Sequence, residues 1–135
     1  MSIIRQAWIT RNDLIDNRNR IYVFGDNIDR TGYGGQAASM RGEPNAFGIP
    51  TKWSPSSNEL DYFEDDDLDR SVLAIILSTS FVQLEEILRN GYDVVIPTDG
   101  LGTGLSKLPE KAPRIAAYID AKIADLEQRY GAIVY

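Results

Sequence analysis

The chain has 135 residues, a formal charge of -6, 43% hydrophobic and 25% charged residues, and neither Cys nor His. That length fits one domain burying roughly two thirds of its unfolded surface, and the composition excludes disorder over most of it. The missing residue types exclude disulfides, thiolate zinc sites and Ser-His or Cys-His catalysis, and the acidity excludes a sequence-independent grip on nucleic acid.

The first residues, MSIIRQAW, lack the apolar core of a signal peptide, and no run approaches the ~18 apolar residues of a membrane span. A cytoplasmic, membrane-free protein is expected. Gln6 to Thr10 reads as a short strand, and Arg11 to Ile15 as a turn or brief helix capped by Asn12 or Asp13. After a loop at Asn17 to Arg20, Ile21-Tyr22-Val23-Phe24 has no polar alternation, which predicts a strand covered on both faces. Small residues at Gln36 to Arg41 predict a helix start whose free N–H groups attract anions. Pro44 to Lys52 carries two prolines and is expected to be extended, followed by a loop from Trp53 to Asn58.

Asp65-Asp66-Asp67 lacks the spacing of a calcium loop and reads as a solvated helix start. The helix it opens runs toward Leu88 and stops at Asn90-Gly91, with the β-branched middle, Ile75 to Ser80, weakening the case for one uninterrupted helix. Tyr92 to Pro97 is a second buried strand. Pro109 and Pro113 suit first helical turns, and Ile115, Tyr118, Ile119, Ile123 and Leu126 share one helical face that ends near Gly131. Ala132 to Tyr135 is a last strand. Alternating strands and helices predict one three-layer α/β domain over residues 1–135, with ligands beyond the carboxyl ends of its strands.

Two glycine loops stand out against this frame. Gly25 ends the first buried strand, Asp26-Asn27 follows, and Gly32, Gly34 and Gly35 fall within four positions. Asp99-Gly100-Leu101-Gly102-Thr103-Gly104 follows the second strand. Neither loop is a Walker motif or a good dinucleotide fingerprint. Each alone is compatible with plain turn chemistry. Together, after two buried strands, they predict a cradle of backbone N–H groups around phosphate.

The combination FGDN-x-x-R-x-G-x-GG-Q-A, then NAFGIPTK, then VVIPTDGLGTGLSKLPEKAP resembles a small group of phage and bacterial proteins related to macro domains. The resemblance implies a macro-like fold with a mixed central sheet, and two loops that clasp the diphosphate and distal ribose of ADP-ribose. It places Asn27 at the ribose, Gly32, Gly34 and Gly35 in the first loop, and Gly100, Gly102, Thr103 and Gly104 in the diphosphate loop. The usual early Gly-Asp-Ile-Thr segment has no counterpart, so adenine reading falls to Asn12 or Asp13. Asp26 stands where many macro domains carry Ala.

Asp26 and Asp99 read either as turn caps or as two carboxylates facing one ligand, where one activates water while Arg30 or loop amides hold developing charge. Catalytic candidates are therefore Asp26, Asn27, Arg30 and Asp99. Ligand-binding candidates are Gly25, Gly32, Gly34, Gly35, Gln36, Asn45, Gly100, Gly102, Thr103 and Gly104. Lys52 is a candidate for a phosphate, and Trp53, Tyr33 and Phe47 for a base. The expected partner is ADP-ribose or an ADP-ribosylated macromolecule, with no cofactor, no metal, no nucleic-acid groove and a monomeric state. The leaning is to a hydrolase of an ADP-ribosyl linkage or terminal phosphate. A non-catalytic reader or sponge, and a structural protein whose loops only turn, are the alternatives.

Overall fold

The computed structural model describes residues 1–70 and 72–134. In chain order it holds β1 (Ile3–Gln6), α1 (Arg11–Asp16), β2 (Arg20–Asn27), α2 (Ala37–Met40), β3 (Ala46–Lys52), a 3-10 turn (Glu59–Asp61), α3 (Asp67–Arg70), α4 (Leu73–Arg89), β4 (Asp93–Pro97), α5 (Leu108–Lys111), α6 (Pro113–Tyr130) and β5 (Ala132–Val134). The strands form one sheet in the order β3-β2-β4-β1-β5.

Every strand pairing is parallel, which corrects the expectation of a mixed sheet. The reason is in the connections: each passes through at least one helix that carries the chain back to its starting edge, where an antiparallel neighbour would need a hairpin. Successive strand residues serve opposite cores. Ile3, Val23, Val94 and Ile96 pack with Leu77, Phe81, Leu84, Ile115, Ile119 and Ile123, so α4 and α6 cover one face. Ile4, Tyr22, Phe24 and Val95 pack with Leu14, Ala37 and Met40 of α1 and α2 on the other. Burial on both faces explains why these strands read as unbroken apolar runs.

The sides follow from one rule of handedness. Connections β1 to β2 and β2 to β3 move across the sheet toward β3 and put α1 and α2 on one face. Connections β3 to β4 and β4 to β5 move the other way and put α4 and α6 on the opposite face. A fixed crossover hand requires that exchange. The adjacent strands β2 and β4 therefore send their chains in opposite directions, which opens a crevice between their carboxyl ends.

Three local expectations change. The first strand is Ile3–Gln6, because Ile3 and Ile4 each reach a core while Trp8 lies exposed beyond the sheet. α4 runs through Ile75 to Ser80 without interruption, since Leu73, Leu77, Phe81, Leu84 and Leu88 bury one continuous face that outweighs weak propensity. The acidic run is tied down rather than only solvated: Asp65 accepts the Arg114 amide and Asp67 accepts the Trp53 indole N–H. Of the last predicted strand, Tyr135 lies outside the described residues.

α1 is capped by Thr10, not by Asn12 or Asp13. Its hydroxyl accepts the Asp13 amide at 3.3 Å while the Asp13 carboxylate accepts the Thr10 amide at 2.9 Å, a reciprocal capping box. Thr10→Ala is expected to cost about 1 kcal/mol of unfolding free energy in urea titration, the ordinary worth of such a cap.

Candidate functional site

Both glycine loops leave the sheet at this crevice and line one cleft of about 380 Å³. That volume falls within the roughly 300–1,000 Å³ of small-molecule sites. The loops touch. A Cβ built on Gly25 would lie 3.3 Å from the Gly102 amide nitrogen, and one on Gly34 would lie 2.8 Å from Leu105 Cδ1. Gln36 joins them: its Oε1 accepts the Gly25 amide at 2.8 Å and its Nε2 donates to the Gly100 carbonyl at 3.3 Å. Gln36 thus lines the cleft with its amide engaged at both ends.

Asp26 organises the first loop. Its buried carboxylate accepts from the Asn27 amide at 2.8 Å, from Arg30 at 3.3 Å and from both terminal nitrogens of Arg41. Arg41 also donates to the carbonyls of Gly32 at 2.6 Å and Thr31 at 3.2 Å, and lies over the Phe24 ring. Arg30 donates to the Gly48 carbonyl at 2.7 Å from a left-handed backbone with φ of 58°. Asn27 closes the loop, donating to the Thr31 carbonyl at 2.8 Å and facing the Thr31 amide. Arg41 was not singled out from the sequence. Its only signal there was charge, and its role needs the fold that brings α2 over β2.

The second loop turns at Gly100 and Gly102, whose φ values of 85° and 77° lie in the left-handed region. Among the described residues, the amides of Tyr33, Gly34 and Gly35 in the first loop and Thr103, Gly104 and Leu105 in the second donate no hydrogen bond within the chain. The N-terminus of α2 offers less than expected. It is a four-residue helix whose Ala37, Ala38 and Ser39 amides bond back to Gly34, Gly35 and Gln36. Asp99 lines the cleft and is exposed, without an ion pair or hydrogen bond among the described residues.

Of the expected residues, Gly25, Asp26, Asn27, Gly32, Gly34, Gly35, Gln36, Asp99, Gly102, Thr103 and Gly104 line the cleft, whereas Arg30, Asn45 and Gly100 do not. Asn45 is buried at the start of β3, where its amide donates to the carbonyls of Leu14, Asn17 and Arg20 and accepts from Arg18. It satisfies loop backbone. Neither Asn12 nor Asp13 lines the cleft, and Asp13 is engaged in the α1 cap. Among aromatics, Trp53 packs edge-on against Phe63 and Phe47 packs against the core, which leaves Tyr33 on the cleft. Trp8, 88% exposed, and Leu105, 66% exposed, join Tyr33, 66% exposed, around it.

Along the carboxyl edge of the sheet the cleft takes its walls from β3 (Lys52), β2 (Asp26, Asn27), β4 (Pro97, then Asp99) and the end of β1 (Ala7, Trp8). Three inter-strand steps make that span about 14 Å. Lys52 at one end is only 7% exposed, and burial pushes its pKa below the ordinary 10.5.

A Cβ at Gly48 would sit 2.3 Å from Asp26 Oδ2, so the carboxylate fits only beside glycine. Gly48→Ala and Asp26→Ala are each expected to cost about 3 kcal/mol in urea unfolding, the first by overpacking and the second by leaving the Arg41 charge unpaired. The double variant should cost less than their sum, since both disturb one contact.

No curated protein and no solved structure matches the chain. One family pattern does, over residues 4–122, which takes in both glycine loops, β1 from Ile4 onward, β2, β3 and β4. By that match the chain belongs to the family of unknown function DUF7831.

Proposed function

We propose that this domain is macro-like in its site and binds ADP-ribose or a related nucleotide sugar. The observation that carries the reading is the meeting of two glycine loops over one cleft at the crevice between β2 and β4, with unengaged amides in both. Such amides suit a diphosphate, because they bring partial positive charge without the desolvation cost of a buried cation. The exposed rings of Trp8 and Tyr33 suit a nucleobase, and Asn27 at the β2 end suits the distal ribose.

The leaning to a hydrolase of an ADP-ribosyl linkage or terminal phosphate now rests on Asp99. Asp26 holds two guanidiniums and shapes the loop, whereas Asp99 has its carboxylate open to orient water. The engagement of Asp26 also favours the second reading, a reader or sponge that binds without turnover. A cytoplasmic monomer acting in phage–host conflict, by reversing host ADP-ribosylation or intercepting a nucleotide signal, is the setting that the resemblance supplies.

Calorimetric titration with ADP-ribose tests binding. Gly34→Val is the informative loop variant, since Gly34 has no left-handed φ and its Cβ meets only the flexible tip of Leu105. It should weaken binding about tenfold or more with the fold retained. Gly102→Val does not serve, because its Cβ would lie 2.7 Å from Leu108 Cβ and damage the fold itself. Trp8→Ala should weaken ADP-ribose by about fivefold or more, the worth of one stacked ring. Product analysis with ADP-ribosylated protein and ADP-ribose 1″-phosphate separates hydrolase from reader. Asp99→Asn should abolish turnover and spare binding, and turnover that survives it removes Asp99 from the chemistry.

A further inference from the structure

The outer face of α4 is not built like a solvent face. From Leu73 to Leu84 the helix carries no charged residue, in a chain that is 25% charged. Leu73, Leu77, Phe81, Leu84 and Leu88 serve the core, while the other side leaves Ile75 67% and Val82 62% exposed, with Val72 61% exposed at the N-cap. A helix packed by one face on a core ordinarily turns charged and polar groups outward. Val72, Ile75, Thr79 and Val82 follow one another at intervals of three, four and three, and Thr79 is exposed as well. That spacing is the seam along which two helices pack, and among the described residues nothing covers it.

We propose that this seam docks a second copy of the chain, α4 against α4 in antiparallel register about a twofold axis at Thr79. Charge selects the register. Asp66, Asp67 and Asp69 lie just before the helix, and Glu85, Glu86 and Arg89 occupy its last turns. A parallel pair would set each acidic stretch against its own copy and Glu86 against Glu86. The antiparallel pair lays the acidic start of one copy beside the exposed Arg89 of the other. It also brings the exposed Glu86 opposite Val72, at a helix start that has no side-chain cap and no acidic residue in its first turn. The helix dipole favours a carboxylate there.

Shape agrees with charge. Ser78 and Thr79 at the axis are small enough for two backbones to approach, and Ile75 of each copy falls beside Val82 of the other. Val82 borders a hollow of about 170 Å³ between α4 and α6, lined also by the buried Phe81 and Leu126. The acids on its wall, Glu85 and Asp125, are both held by Arg129. Projection and hollow thus share one patch, as a twofold contact requires. The 17 residues of α4, at 1.5 Å each and about 10 Å across, give a footprint on the order of 250 Å². That is well under the roughly 800 Å² per partner of a standard interface, so the pair is weak and the chain is a monomer when dilute. None of Val72, Ile75, Thr79 and Val82 lines the cleft, so pairing uses a surface separate from the glycine loops.

Sedimentation velocity on the full chain, from about 10 µM to about 1 mM, tests the pairing. The sedimentation coefficient of the wild type should rise across that range, and Ile75→Lys, at an exposed position, should weaken pairing by about tenfold or more. A wild type that stays monomeric throughout overturns the second copy as occupant, and an Ile75→Lys chain that pairs like the wild type overturns the seam. If Ile75→Lys fails to fold, Val82→Lys at its own exposed position takes its place with the same two outcomes. Cysteine bridging reads the register, since the chain has no Cys of its own. Thr79→Cys should give a disulfide-linked dimer under mild oxidation. Two Val72→Cys residues would lie about 20 Å apart across the axis, beyond the roughly 7 Å between Cα atoms that a disulfide spans, and should not bridge. A Thr79→Cys chain that does not bridge, or a Val72→Cys chain that bridges as readily, overturns the antiparallel arrangement.

Discussion

Asp26 is buried where β2 leaves the sheet, and its charge is tolerated there because two guanidiniums and a backbone amide meet it. A buried carboxylate without such partners would be strongly unfavourable. The same contacts give the first loop its form. Arg41 carries the carbonyls of Thr31 and Gly32 on its remaining donors, and Arg30 carries that of Gly48. Glycine at 48 supplies the space, since any side chain would overlap the carboxylate. Removing one member leaves the others with charge or carbonyls unsatisfied.

The second constraint is topological. β2 and β4 are neighbours whose onward chains turn to opposite sides, which opens a gap between their carboxyl ends. Gln36 spans that gap with one hydrogen bond to each loop, and Gly25 lets the second loop approach to contact distance. The cleft is therefore a product of crossover direction, and its shape a product of a few polar ties.

Electrostatically the cleft differs from the acidic chain around it. Asp26 is neutralised by its arginines, Lys52 is buried with no close carboxylate among the described residues, and Asp99 is the exposed acid on the wall. Its wall presents unengaged loop amides, while the chain as a whole carries a charge of -6. Local dipoles shape the potential of such a cleft more than net charge does.

The sequence by itself determined the α/β class, the two buried strands, the long amphipathic helices and the glycine loops as the place to look, because periodicity and backbone freedom are local properties. Most of the candidate residues it named line the cleft. Only the tertiary structure decided that the sheet is wholly parallel, that α4 is unbroken, and that Asn45 serves the opposite end of β3 from Lys52. The roles of Arg41, Gly48 and Trp8 were likewise invisible, since a charge, a glycine and an aromatic ring acquire them only from neighbours distant in sequence. Pairing energy and excluded volume act through space, and the linear chain does not record which residues will share it.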